Sequence, residues 1–193
     1  MTTAIAIRPL TPDLWADFET VFGPQGACYG CWCTYFRLAA AERKLLGSAE
    51  RKDFMHKRVD AGPPPGLLAY DGAAPFGWVQ VGPRSELPGW NTPRTVARPL
   101  DPQDAEDPHV WAVSCFFMLS KYRGQGLSHA ILQGAIKHAR EAGARLLEAC
   151  PMDHAKQAKS VGLYVGSTSV FRKAGFEEVA LRKAGRPLMR LAL

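Results

Sequence analysis

The segment Lys121-Tyr122-Arg123-Gly124-Gln125-Gly126-Leu127-Ser128 has the residue types and spacing of an anion cradle. Glycines at 124 and 126 let the backbone turn sharply and leave the first amides of a following helix without partners. Those N–H groups, together with the positive end of the helix dipole, suit a pyrophosphate, and Arg123 adds a cation at the rim. A dinucleotide fingerprint needs a third glycine and a P-loop needs Gly-Lys-Ser/Thr; the segment has neither. Two glycines alone describe a strand-to-helix turn equally well.

Cys28-Tyr29-Gly30-Cys31-Trp32-Cys33 is the second segment with chemical potential. Cys-x-x-Cys spacing suits zinc, but a closed structural site takes four ligands, commonly in two pairs. No second pair follows, because Cys115 and Cys150 fall in predicted core strands and His56 stands alone. No metal is therefore expected, although a dimer joining two such clusters would supply the missing ligands. Glu148 is a third candidate. It interrupts an apolar run, Leu146-Leu147-Glu148-Ala149-Cys150, where burial would raise a carboxyl pKa and suit it to act as a base. A place facing solvent at the sheet margin accounts for it equally.

Elements must be found to position these groups. Thr3 to Arg8 alternates as a first strand, and Thr11-Pro12-Asp13 reads as an N-cap and first turn. The stripe Leu14, Trp15, Phe18, Val21 and Phe22 follows at helical spacing. A second helical region spans 39–59, interrupted at Gly47-Ser48, with Glu50, Arg51, Lys52, Asp53, Lys57 and Arg58 as a solvated face. Gly62-Pro63-Pro64-Pro65-Gly66 forms a rigid spacer. Leu67–Tyr70 and Phe76–Val81 form a hairpin around Asp71-Gly72. The proline-punctuated stretch 82–109 has no periodicity and reads as a lid or site wall. Val110–Leu119 is a buried strand, 124–142 a helix closed by Gly143, and Ala144–Cys150 another strand, together a βαβ unit. A short helix at 167–174 and strands at 176–181 and 187–193 complete a mixed sheet with helices on both faces.

Composition sets the outer limits. The 193 residues are 47% hydrophobic and 22% charged, the balance of one globular domain over 1–193 and too apolar for disorder. No run approaches ~18 apolar residues, which speaks against a membrane span. No basic segment followed by an apolar stretch opens the chain, so the cytoplasm is the expected compartment. The net charge of +6 is spread without a like-charge block, compatible with an anionic small ligand and only weak evidence for nucleic acid, which is not expected as a partner. Five cysteines in such a chain argue against a disulfide framework.

Arg123-x-x-Gly126-x-Ser128, between a buried strand and a helix, resembles the signature of the GNAT superfamily of acyl-CoA-dependent N-acyltransferases, with Ser128 replacing the last small residue. Phe171-Arg172-Lys173-Ala174-Gly175-Phe176 resembles that family's aromatic-x-Lys-x-Gly-Phe motif, and the element order resembles the fold across nearly the whole chain. The resemblance implies an α/β fold: a central twisted, mostly antiparallel sheet with helices on both faces and a splayed strand pair for CoA. It implies acetyl-CoA as cosubstrate, paired by the main chain of Phe117 and Met118 and held at its pyrophosphate by Arg123, Gly124, Gln125, Gly126, Leu127 and Ser128. A neutral primary amine, of a small molecule or a peptide, would attack the thioester directly, with the Met118 amide facing the developing oxyanion. The family's proton-donating Tyr is Phe171 here, so Tyr164 becomes the candidate acid beside Glu148 as base. Trp32, Tyr35 and Phe36 would line the acceptor pocket. A homodimer stays open. So do two other functions: a catalytically silent acyl-CoA-binding module, and a metal or redox protein built on the cysteine trio, with Cys115 or Cys150 as a relay thiol.

Overall fold

A computed structural model describes residues 5–153 and 163–193. Seven strands form one sheet in the order β1-β2-β3-β4-β5-β7-β6: β1 Ile5–Pro9, β2 Gly66–Asp71, β3 Ala74–Pro83, β4 Val110–Met118, β5 Leu146–Ala149, β6 Glu177–Leu181 and β7 Pro187–Ala192. Every neighbouring pair is antiparallel except β4 and β5, which run parallel. The mixed, mostly antiparallel sheet agrees with the expected fold class. Thr3, in the expected first strand, lies outside the described residues. Among the described residues no helix is long and apolar enough to cross a membrane.

Helices cover both faces: α1 Trp15–Phe22, α2 Ala40–Leu45, α3 Ser48–Ala61, the single turn α4 Pro88–Asn91, α5 Leu127–Glu141 and α6 Thr168–Lys173. On one face Ile131, Leu132, Ala135, Ile136 and Ala139 of α5 pack with Val79, Val81, Val113 and Phe171. The approach is close, since a side chain at Gly134 would run into Ile7. On the other face Phe18, Val21 and Phe22 of α1 and Met55 and Val59 of α3 pack against Leu68, Tyr70 and Trp78. The expected stripe of α1 is therefore the buried one. Its expected cap is not formed: a 3-10 turn at Pro12–Leu14 precedes the helix, and the Thr11 carbonyl, not its hydroxyl, accepts from Leu14 N.

Two further expectations are corrected. Arg51 and Arg58 leave the solvated face of α3: Arg51 donates to the carbonyl of Arg43 at 2.8 Å, and Arg58 to Glu86 and to the Pro63 carbonyl. The proline-punctuated stretch is also not a wall of the cavity described below. It wraps around a fully buried arginine, Arg84, and buries Leu87, Trp90 and Ala97 against Ala112 of β4 and Cys150. Prolines hide its periodicity because each turn is only a few residues long.

Arg84 explains why this stretch is held so firmly. Its guanidinium pairs with Glu148 of β5 and the Ala97 carbonyl, and donates to Asn91 Oδ1 at 2.8 Å. Arg190 Nε of β7 takes the other Glu148 oxygen at 2.7 Å, and Arg190 Nη2 reaches Asp104 at 2.6 Å. The Arg84 and Glu148 side chains are fully buried, and Glu148 carries two cationic partners. Removing one partner of such a buried pair typically costs about 3–5 kcal/mol. Glu148→Ala is expected to lose stability in that range by urea denaturation, with the shape-conserving Glu148→Gln in the same direction. A loss under about 1 kcal/mol for both would show that the network does not hold the sheet.

Candidate active site

The site begins where β4 and β5 part. Their ladder runs from Val110↔Leu146 to Val113↔Ala149 and stops there, while β4 continues to Met118 along β3. Leu119 N donates to Phe76 O at 3.0 Å. In an antiparallel ladder the main-chain groups alternate in direction, so with Met118 opposite Gly77 and Phe117 opposite Trp78, Phe117 bonds β3. Phe116 and Met118 turn their backbone groups to the open side. The structure thus corrects the role given to Phe117: its main chain is spent on β3, and Phe116 takes its place on the open edge.

The turn at the end of this edge is held by two side chains. Arg123 Nε donates to Met118 O at 2.8 Å, and Gln125 Nε2 to Lys121 O at 2.8 Å. Gly124 and Gly126 sit at φ +77° and +75°, with open space where a side chain would stand. From Gly124 to Ser128 no amide donates to a backbone carbonyl among the described residues. The turn therefore presents a row of unpaired N–H groups at the start of a 15-residue helix.

On the α1/α3 face lies a cavity of about 450 Å³. Its walls include Phe22, Tyr35, Phe36, Phe116, Phe117 and Tyr164, and four thiols, Cys28, Cys31, Cys33 and Cys115, open onto it. Tyr164 stands 6.3 Å from the Tyr35 ring and 6.4 Å from that of Phe36. Burial raises its phenol above the ordinary tyrosine value. Trp32 is not part of this wall. It is a core residue, 3% exposed, stacked 5.9 Å from Phe22 and donating to Ser48 Oγ at 3.0 Å. Glu148 also lies elsewhere: both of its oxygens are held by arginines, and it does not line the cavity.

The cysteine segment is bent by strain. Ala27, Tyr29, Trp32 and Cys33 all have positive φ, from 44° to 61°, conformations that cost side-chain-bearing residues about 1–3 kcal/mol each. The result places Cys33 inside the sheet face, where Trp78 Nε1 donates to its sulfur at 2.9 Å and its thiol contacts Gln80 Oε1 at 3.1 Å. Burial works to raise the Cys33 thiol, yet the hydrogen bonds from Cys115 and Trp78 and the charge of Arg37 hold it below the ordinary value. Cys115 is pushed well up by its bond to Cys33 and by burial. Cys150 lies apart, beside Arg186. Among the described residues no three His, Cys, Asp or Glu side chains are arranged to hold a metal ion.

Arg43, Lys44, Arg51 and Gln80 also line the cavity. Reading the sequence missed these four: charges on a helix have the same spacing whether they face solvent or a cavity, and Gln80 sits within the apolar strand β3.

Comparison with known proteins bears on this arrangement. The profile of the acetyltransferase (GNAT) family matches residues 31–166. The chain belongs to the GNAT acetyltransferase family. No curated protein matches it in sequence. Solved structures of GNAT fold align over almost the whole chain. A ribosomal-protein-alanine N-acetyltransferase from Brucella melitensis is 21% identical, with a TM-score of 0.53, covering 97% of this chain and 99% of its own. The paia N-acetyltransferase from Thermoplasma acidophilum, in complex with coenzyme A, is 14% identical (TM-score 0.53; 98% and 99% covered). The yncA protein of Salmonella typhimurium, with its cofactor acetyl-CoA, is 18% identical (TM-score 0.54; 98% and 94% covered). At these identities the likeness concerns the GNAT fold.

The cavity thiols differ in a way that labelling can read. Cys28 is exposed, whereas burial, with the neighbouring Cys33, pushes Cys31 up to about 11. At pH 8 only ~10⁻³ of Cys31 is thiolate, the reactive form. Iodoacetamide at pH 8, followed by peptide mass analysis, is expected to mark Cys28 well before Cys31, with Cys31 catching up as pH approaches 11. Equal rates at pH 8 would contradict the burial of Cys31.

Proposed function

We propose that this chain transfers the acetyl group of acetyl-CoA to a primary amine by direct attack. The observation that carries the reading is the parted strand pair. It opens a backbone edge at Phe116 and Met118 that no strand pairs among the described residues, that leads at one end into a turn of unpaired amides, and that borders an apolar cavity on one face. The residues present fit the coenzyme. A row of N–H groups at the start of a long helix suits a pyrophosphate, and an unpaired strand edge suits an extended arm with amide groups of its own. When bound, acetyl-CoA supplies an acetyl group activated as a thioester.

The chain's own groups divide the remaining work. The amides of Gly124 to Ser128 hold the pyrophosphate, and Arg123 locks the turn to the strand through the Met118 carbonyl. Because that carbonyl is engaged, the Met118 N–H is left facing the parting, placed to donate to an oxyanion. Tyr164 gives the departing thiolate its proton. Its raised pKa keeps the phenol protonated throughout the neutral range, so donation does not fail as pH rises past 8. Among the described residues the cavity lining contains no Asp, Glu or His, so in this reading the amine arrives neutral or loses its proton to water.

Two substitutions test this reading. Gly126→Asp sets a carboxylate against the pyrophosphate at a left-handed position that Asp tolerates better than most residues. CoA binding measured by calorimetry is expected to weaken at least ~tenfold, about 1.4 kcal/mol, with the fold retained by circular dichroism. Unchanged affinity in a folded variant would put the coenzyme elsewhere. Tyr164→Phe removes only the hydroxyl. Turnover is expected to fall at least ~10²-fold, the low end for general acid help, while CoA affinity survives. Full turnover would leave Tyr164 as a wall residue only, and CoA binding without turnover in wild type over a broad amine panel would mark a silent binding module.

A further inference from the structure

The cavity is apolar and aromatic in its depth, yet Arg43, Lys44 and Arg51 line it and, among the described residues, no carboxylate does. Among the described residues none of these three cations has an ion-pair partner. Arg43 lies over the Tyr35 ring at 4.0 Å and donates to the Tyr35 carbonyl at 2.7 Å. Arg51 donates to the Arg43 carbonyl at 2.8 Å and reaches those of Tyr29 and Gly30 only at 3.4 Å, and its buried Nε has no hydrogen-bond partner. A half-buried guanidinium bonded only to carbonyls, with one N–H unspent, is incompletely satisfied.

These cations are separate from the coenzyme turn. Arg43, Lys44 and Arg51 sit on α2 and α3, and α3 packs on the α1 face of the sheet, whereas α5 packs on the opposite face. No residue from Arg123 to Ser128 lines the cavity. Their field therefore acts on whatever occupies the acceptor space. Positive charge repels an alkylammonium and lowers the pKa of any amine bound beside it. A second, anionic group on the acceptor removes that conflict: it pairs with the rim while the cations help the amine to stay neutral, in a cavity whose described residues offer no carboxylate or imidazole base.

We infer that the acceptor is a small, ring-bearing amine that also carries a carboxylate, its ring among Tyr35, Phe36 and Tyr164 and its carboxylate toward Arg43, Lys44 and Arg51. The volume, about 450 Å³, lies in the range of small-molecule sites. This identification of the substrate class rests on the acetyltransferase reading, but the binding preference can be measured without turnover.

The matched probes are 3-(aminomethyl)benzoate and benzylamine, which share ring and amine and differ in the carboxylate. Calorimetry on the CoA-loaded wild-type protein is expected to show 3-(aminomethyl)benzoate binding at least ~tenfold tighter, with the advantage shrinking as salt is raised. Lys44→Glu, at an exposed position, is expected to abolish most of the advantage and leave benzylamine binding equal or better. Equal or tighter binding of benzylamine to wild type, or no detectable binding of either probe, overturns the inference. So does an advantage unmoved by both salt and Lys44→Glu. Assay of CoA release with both amines separates the two readings. Tighter carboxylate binding without release from any amine refutes acetyl transfer and keeps the anion preference; release with benzylamine preferred does the reverse.

Discussion

Strands β4 and β5 are hydrogen-bonded over four residue pairs and then separate, and each part of the candidate site is a consequence of where that ladder stops. A parallel ladder continued to Met118 would consume the backbone groups of Phe116 and Met118. It would also close the gap on which the cavity borders. The helix α5 needs its first turn near the end of β4, and Arg123 ties that turn to Met118 itself. The interruption of pairing is thus what gives the sheet a usable interior edge, in a protein whose other strand edges are paired or peripheral.

Interrupting a central sheet weakens it, and the buried charge network sits beside the interruption. Glu148 lies within the four-pair ladder, opposite Ala112 on one side and Arg190 on the other. Its bonds to Arg84 and Arg190 link the stretch 82–109, β5 and β7 across the bonded half of the parting. A fully buried carboxylate held by two guanidiniums is expensive to disrupt, so the hinge of the splay is rigid where it must be. The same stretch also stiffens the cavity: Trp90 meets Phe36 edge-on at 6.0 Å, and Gly89 N donates to the Phe36 carbonyl at 3.0 Å. A segment expected to cover the site instead supports its wall from behind.

What could be read from the sequence follows the range of the forces involved. Strand β4 and helix α5 were legible because continuous burial and 3.6-residue periodicity are local signals, and the glycine turn because positive φ selects glycine. Chemistry decided by distant partners was not legible. Glu148 has the sequence context of a perturbed carboxylate, but its partners are 64 and 42 residues away. Trp32 and Tyr35 share one aromatic segment, yet four positive-φ residues before and at Cys33 turn one ring into the core and leave the other at the cavity. Backbone strain of that kind is imposed by packing, and no spacing rule reports it. The alternation that spends Phe117 on β3 depends likewise on a register known only once β3 is paired.

The absence of a hydroxyl at position 171 has a packing explanation with chemical consequences. Phe171 is fully buried, edge-on to Phe116 at 5.9 Å and to Phe176 at 5.0 Å. Its ring edge occupies the space beside Gly166, where even a methyl group would approach to 2.7 Å. A tyrosine hydroxyl here would need a hydrogen-bond partner within the aromatic packing, and an unsatisfied buried hydroxyl costs about 1–3 kcal/mol. The aromatic trio of Phe116, Phe171 and Phe176 fastens α6 beneath the open edge of β4, so this position serves packing and cannot also serve proton transfer. The proposed proton donor stands instead on the cavity side of Phe116. Tyr164 is the half-buried tyrosine there, two residues before the Gly166 turn that seats Phe171. In the proposed mechanism two tasks that a single tyrosine would otherwise have to combine are divided, anchoring to Phe171 and proton donation to Tyr164.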